Sequence, residues 1–213
     1  MKIGDIEMRA LGHSSFVIET ESKVYIDPYQ IEEGKADVIL ITHPHYDHCS
    51  VEDIKKIVKP ETVIVIPADC QSKIARLEDV NMQIVSAGQT LELKNIKIGA
   101  IPAYNTNKDF HPKEEGWLGY VIKIGNTVLY HAGDTDKIPE MSKLQGKITV
   151  ALLPVGGTYT MNAEEAAEAA SVIRPELAVP MHFGEVAGSV ADAKEFVRLC
   201  ESEGIRAAIL EKE

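Results

Sequence analysis

An apolar run that ends in a cluster of metal-ligand side chains constrains this chain more than any other feature. Residues 37–42 read D-V-I-L-I-T, the continuous pattern of a strand covered on both faces by other elements. His43-Pro44-His45-Tyr46-Asp47-His48 follows directly. His43 and His45 are two apart, so an extended backbone points both imidazoles the same way. Asp47 and His48 come after a bend and face a second position. Imidazole and carboxylate together suit zinc, iron or manganese, with softness favouring zinc or iron. The bland alternative is a solvated loop that happens to be rich in histidine, and the spacing argues against it.

Strands are expected on either side of this cluster. Residues 6–11, 15–20 and 23–27 form a meander with turn signals at Gly12-His13 and Glu21-Ser22. A helix is expected over 50–58, capped by Ser50 and stopped by Pro60, then a strand over 62–66 and a helix over 69–77. A second β-rich block follows at 83–86, 90–93, 96–102, 118–124 and 127–131. It leads to a buried strand at 150–153, a helix at 162–173, a short strand at 177–180, a helix from Ser189 to about Glu203 and a closing strand at 205–210. The order, strands then β-α in each half, predicts an α/β protein. Two mixed sheets pack face to face with helices on their outer faces, an αββα sandwich in one domain over 1–213.

Composition narrows the partners. The 213 residues carry a formal charge of -11, which repels nucleic acid and anionic lipid. Three cysteines with no C-x-x-C pair fit a reducing compartment. The first residues lack the apolar core of a signal peptide, so a cytoplasmic protein is expected. No apolar run approaches a membrane span. A small-molecule substrate is the expected partner, and a homo-oligomer is left open.

H-x-H-x-D-H after a strand resembles the metallo-β-lactamase superfamily, and other segments agree in order. Gly133-Asp134-Thr135 resembles that family's G-D-T segment, and Pro180-Met181-His182-Phe183-Gly184 resembles its final metal-binding histidine segment. Gly12-His13-Ser14-Ser15-Phe16 and Ile26-Asp27-Pro28 resemble the branch of ascorbate-6-phosphate lactonase-like and N-acylphosphatidylethanolamine phospholipase D-like proteins. The resemblance implies two divalent metals, zinc first and iron or manganese as alternatives. His43 and His45 would serve one site, Asp47, His48 and His182 the other, and Asp134 would bridge. It implies a hydrolase whose metal-bound hydroxide attacks an ester, lactone or phosphodiester of a small, anionic substrate, with Asp47 and Asp134 as its catalytic carboxylates.

One position departs from the family. Where a third histidine of the first site is expected, Pro102-Ala103-Tyr104-Asn105 places an asparagine, and His111 lies six residues on. His111 is therefore a candidate replacement ligand, with Asn105 the alternative. A substrate-facing lid position or an exposed loop also remains open for it. The resemblance places His13 near the pocket, against substrate or in its turn. Asp27 is expected to brace the histidine loop, His131 to pack or hydrogen-bond behind the site, Cys49 to be a small buried residue and Trp117 to pack. Lys108, Lys113 and Lys137 are candidates for binding a substrate anion, and Gly156-Gly157-Thr158-Tyr159-Thr160 is a weak candidate anion loop. Two rival functions stand beside the hydrolase: a catalytically silent metal-binding module and a di-iron redox protein.

Overall fold

A computed structural model describes residues 1–77 and 80–212 of the chain. The first half builds a seven-stranded sheet in sequence order. Its strands are β1 (Lys2–Ile3), β2 (Ile6–Gly12), β3 (Ser15–Glu19), β4 (Lys23–Ile26), β5 (Val38–Leu40), β6 (Val63–Ile66) and β7 (Asn81–Ile84). β1 to β4 pair antiparallel, and β4 to β7 pair parallel. Parallel neighbours need a crossover, and α1 (Val51–Ile57) supplies the one between β5 and β6.

The second half repeats this plan. β8 (Thr90–Leu93), β9 (Ile96–Pro102), β10 (Leu118–Ile124) and β11 (Thr127–His131) pair antiparallel. β12 (Val150–Pro154) and β13 (Leu177–Met181) then add in parallel, joined through the helix Ala163–Ile173. The result is a six-stranded sheet, β13-β12-β11-β10-β9-β8.

Alternation along β2 to β6 explains the layering, because successive side chains point to opposite faces. Met8, Ile18, Val24, Ile26, Val38, Leu40 and Val65 face inward and join residues of the second sheet and its helices in one large core. Val17, Tyr25, Ile39, Ile41, Ile64 and Ile66 face outward and pack under Ile54 and Ile57 of α1 and Ile74 of α2 (Gln71–Ile74). On the far side lie α3 (Ala163–Ile173) and α4 (Val190–Ser202), which present Ala166, Ala170, Ile173, Ala193, Phe196 and Cys200 to the main core. Two mixed sheets between two helical layers are the expected αββα arrangement.

Three expectations differ in detail. The helix expected over 69–77 is a 3-10 turn, Ala68–Cys70, followed by the single turn of α2; residues 78 and 79 lie outside the described range. The strand expected at 83–86 lies earlier, as β7. The closing strand at 205–210 makes only an isolated bridge, Ala207 with Ala178, where Ala178 N–H donates to Arg206 O and Ala208 N–H to Ala178 O. That segment covers the exposed edge of β13 without extending the sheet, which hides unpaired backbone groups.

Candidate metal centre

The candidate site residues lie in the loops that follow strands. His43, His45, Asp47 and His48 follow β5, Asp134 follows β11 and His182 follows β13. Asn105 and His111 lie in the connection from β9 to β10, and His13 in the tight turn from β2 to β3. All these loops open on one rim of the sandwich, so residues from both sheets meet there.

Asp134 is the hub. Its Oδ2 lies 3.1 Å from His182 Nε2, 3.2 Å from His111 Nε2 and 3.8 Å from His43 Nε2. Its Oδ1 lies 3.3 Å from His48 Nε2. Ligand atoms of His43, His45 and His111 fall within 4.8 Å of one another, and so do those of His43, His48 and Asp134 and those of His13, Asp47, His48 and His182. The expected first-site histidines thus come together with His111. Asn105 lies beside His111, its Nδ2 donating to Tyr159 O at 2.7 Å while its Oδ1 is buried without a partner.

Hydrogen bonds on the far side of each ring fix which nitrogen faces the hub. Asp27 accepts from Thr42 N–H at 2.8 Å, from Thr42 Oγ1–H at 2.6 Å and from His48 Nδ1–H at 2.7 Å. Because the Thr42 hydroxyl gives its proton to Asp27, its oxygen accepts from His43 Nδ1–H at 3.0 Å. His111 Nδ1–H donates to Tyr159 O at 3.0 Å. In His43 and His111 the proton on Nδ1 leaves Nε2 with its lone pair, the form a metal requires, and the bond from His48 Nδ1–H to Asp27 turns its Nε2 to the same hub. Asp27 therefore braces the histidine loop as expected.

The remaining candidates settle around this centre. His131 Nε2–H donates to Ser14 O at 2.9 Å while its Nδ1 accepts from Gly133 N–H at 3.2 Å, tying the Asp134 turn to the first sheet. Trp117 stacks on His43, with ring centroids 5.1 Å apart, and its indole N–H donates to Asp69 at 3.0 Å. Cys49, Cys70 and Cys200 are buried thiols. Of the two places left open for His13, against substrate or in its turn, the geometry favours the second: its side chain is 0% exposed and its Nε2–H donates to Asp47 Oδ2 at 3.0 Å. The ring orients a carboxylate instead of facing the cleft.

None of the three candidate anion-binding lysines faces the cleft. Lys108 pairs with Asp136 and Glu165, Lys113 with Glu140 and Lys137 with Glu168. The Gly156-Gly157 loop also has a different role, because the carbonyl of its Tyr159 holds His111 and Asn105. That use of a carbonyl was not legible in the sequence; only the glycine pair marked the loop. Gly156 itself must lack a side chain, since a Cβ there would lie 2.8 Å from His182 O and 2.9 Å from His182 Nδ1. His13, Asp27, His111 and His182 all have positive φ, between 44° and 59°. Left-handed backbone is costly for non-glycine residues and gathers at functional sites.

Electrostatics sharpen the picture. Burial pushes the pKa of His43 well below the ordinary imidazole value, with the neighbouring His48 adding to it. Burial opposes charge on His48 as well, but Asp134 and Asp27 outweigh it and hold its pKa well above that value. Burial works against the Asp134 carboxylate, and His182, His48 and His111 more than compensate, so its pKa lies well below the usual range. His48 Nε2, His111 Nε2 and Asp134 Oδ1 are buried without a hydrogen-bond partner. Buried polar atoms are almost always satisfied. Unpartnered lone pairs converging from histidine and aspartate fit a divalent cation.

A model described as the beta-lactamase superfamily domain matches residues 7–182. The chain belongs to the metallo-β-lactamase superfamily. Within that superfamily its relatives include the UPF0173 metal-dependent hydrolase of Thermococcus kodakarensis, 34% identical over 207 residues that make up 91% of this chain and 92% of that protein. The UPF0173 metal-dependent hydrolase of Nanoarchaeum equitans is 32% identical over 98% of both chains. Among solved structures, that of a candidate metal-dependent hydrolase from Parabacteroides distasonis superposes with a TM-score of 0.85 at 30% identity, covering 98% of this chain and 94% of that one. The superfamily member described here is a metal-dependent hydrolase.

Proposed function

We propose that the protein holds two divalent cations and hydrolyses a small ester, thioester, lactone or phosphodiester. His43, His45 and His111 would hold one cation, Asp47, His48 and His182 the other, and Asp134 would lie between them. The observation that carries this reading is the convergence of unpartnered imidazole and carboxylate lone pairs on Asp134. Zinc suits the donor set best, because the histidines outnumber the carboxylates. The likeness of the Gly12–Phe16 and Ile26–Pro28 segments to lactonase-like and phospholipase D-like proteins supports an acyl or phosphoryl ester bond as the target.

Held by these residues, two divalent cations would supply an activated water and neutralise charge on the attacked group. The chain's own groups prepare the place where that happens. Asp27 and Thr42 hold the proton on the far nitrogens of His43 and His48. His13 fixes Asp47 by donating to its Oδ2, the oxygen that lies 3.6 Å from His48 Nε2. Tyr159 O fixes His111. Trp117 closes one wall behind His43 and keeps water from that side.

The test joins metal analysis to turnover. Wild-type protein is expected to bind two equivalents of zinc and to cleave at least one compound from a panel of phenyl esters, thioesters, lactones and bis-(p-nitrophenyl) phosphate, with activity lost on chelation. Asp134→Ala and His48→Ala should each lose metal and all turnover, and His111→Ala should lose one equivalent. Full activity in Asp134→Ala or His48→Ala would sink the mechanism. Two equivalents in His111→Ala would return the first site to Asn105.

A further inference from the structure

The cleft over the centre measures about 250 Å3. Apart from the candidate ligands, its lining is Tyr46, Phe110, Tyr159 and Val186. Among the described residues no lysine or arginine lines it, and the three nearest candidates in sequence are committed to Asp136, Glu140, Glu165 and Glu168.

Tyr46 is 62% and Phe110 46% exposed, two of the few large apolar side chains left open among the described residues. Water-facing rings normally sit singly on a surface, whereas rings gathered at a cleft mark a binding site. Here they are held in place. Phe110 meets Tyr159 edge to face at a centroid distance of 4.7 Å, and Tyr46 meets Tyr29 likewise at 6.0 Å. The two pairs reach the mouth from different loops, one from those after β4 and β5 and the other from those between β9 and β10 and after β12.

We propose that the protein selects an uncharged substrate bearing an aromatic or branched apolar group next to the bond it cleaves, with Tyr46, Phe110, Tyr159 and Val186 forming the subsite for that group. The inference rests on the hydrolase reading for its reacting centre, but the recognition argument is separate. An anionic tail on the substrate would lie among rings with no cation to meet it and would lose its hydration. An apolar tail removes rings and its own surface from water together. The volume suits one ring and a short linker, below the usual range of pockets for drug-sized ligands. This narrows the bonds named above to the uncharged ester, thioester and lactone, since the only positive charge at the cleft would be the metals themselves. The anionic substrate expected from the sequence is the competing outcome, read by the carboxylate form.

Hydroxamic acids test the subsite without requiring turnover, because the head group binds divalent metal and the tail reports on the mouth. Zinc-loaded protein is titrated with acetohydroxamic acid, benzohydroxamic acid and 4-carboxybenzohydroxamic acid by calorimetry. Benzohydroxamic acid is expected to bind about tenfold more tightly than acetohydroxamic acid, and the added carboxylate should cancel that gain. In Phe110→Ala and Tyr46→Ala the ratio between the benzo and aceto forms should fall at least threefold, with zinc content unchanged, and Tyr46→Phe should retain it. Equal affinity for all three tails, tighter binding of the carboxylate form, or a ratio unmoved in both alanine variants would overturn the subsite. Failure of every compound in the turnover panel would count against hydrolysis of those bonds alone and leave the titration to decide recognition.

Discussion

Asp27 touches nothing in the cleft, yet two of the candidate ligand rings take their orientation from it. It accepts from the Thr42 amide, the Thr42 hydroxyl and His48 Nδ1, and through that hydroxyl it sets the proton on His43 as well. Its φ of +44° is one an asparagine also tolerates. Asp27→Asn therefore removes charge and one acceptor while keeping the backbone comfortable. Zinc affinity is expected to fall on the order of 10- to 100-fold, read by competition with a chelating dye. Unchanged affinity would mean that the ring orientations are held by packing alone. Gly156 makes the complementary point from the other half: His182 fits only because no side chain stands there.

At the scale of elements, caps and charge pairs hold the strands and helices that carry these residues. Asn162 and Glu165 form a reciprocal capping box at the start of α3. Asn162→Ala is expected to cost about 1 kcal/mol of stability, measured by urea unfolding, with zinc content unchanged because the cap lies away from the centre. Asp37, just before β5, accepts from the Lys23 amide at 2.8 Å and pairs with Lys59 at 2.7 Å. Burial raises its pKa, but Lys59, the Lys23 amide and Lys94 outweigh that and leave it below the ordinary value. A depressed carboxylate stabilises above its unfolded pKa and loses that contribution as pH falls through the folded pKa. Asp37→Asn should therefore be less stable than wild type by about 0.5–1 kcal/mol at pH 7, discounted for partial exposure. The gap should close in acid, below pH of about 4, where the wild-type carboxylate protonates. A gap that widens in acid would contradict the assignment.

Much of this level was legible in the sequence. β9, β10 and β11 begin and end where their patterns do, because turn residues bound each run: Lys94 and Asn95, both at positive φ, close one hairpin and Gly125 closes the next. The run at 205–210 was apolar enough for a strand, but it binds its neighbour at one bridge, and periodicity does not report how many partners an edge offers. The candidate ligands after β5 were legible because sequence neighbours on one strand end share a direction. His111 was legible only as one of several alternatives, because a loop between β9 and β10 fixes no direction until Tyr159 O, 48 residues away, takes its Nδ1–H. Thr42 was not legible: a strand-end threonine looks like a strand former, and only the fold puts its hydroxyl between Asp27 and His43.

For the whole molecule, the candidate ligands come from both sheets, so bound metal cross-links the halves. Stripping zinc with a chelator is expected to lower the melting temperature and to do so reversibly. At free zinc a thousandfold above Kd the contribution is about 4 kcal/mol for a single site. Scanning calorimetry at several zinc concentrations checks this, and a melting temperature independent of zinc would show that the halves hold together by packing alone. The formal charge of -11 also changes meaning. Two divalent cations would make one positive centre within an acidic shell, so a polyanion is repelled before it arrives, while a neutral molecule meets no such barrier.

The four side chains that shape the mouth, Tyr46, Phe110, Tyr159 and Val186, each sit on a different connection, and none belongs to a strand or helix. Loops on a rigid scaffold tolerate exchange far better than the elements they join. Each wall of the mouth can thus drift on its own while the hub at Asp134 and its braces stay fixed. A lineage built on this plan can change what it accepts one loop at a time, without passing through an intermediate that has lost its reacting centre.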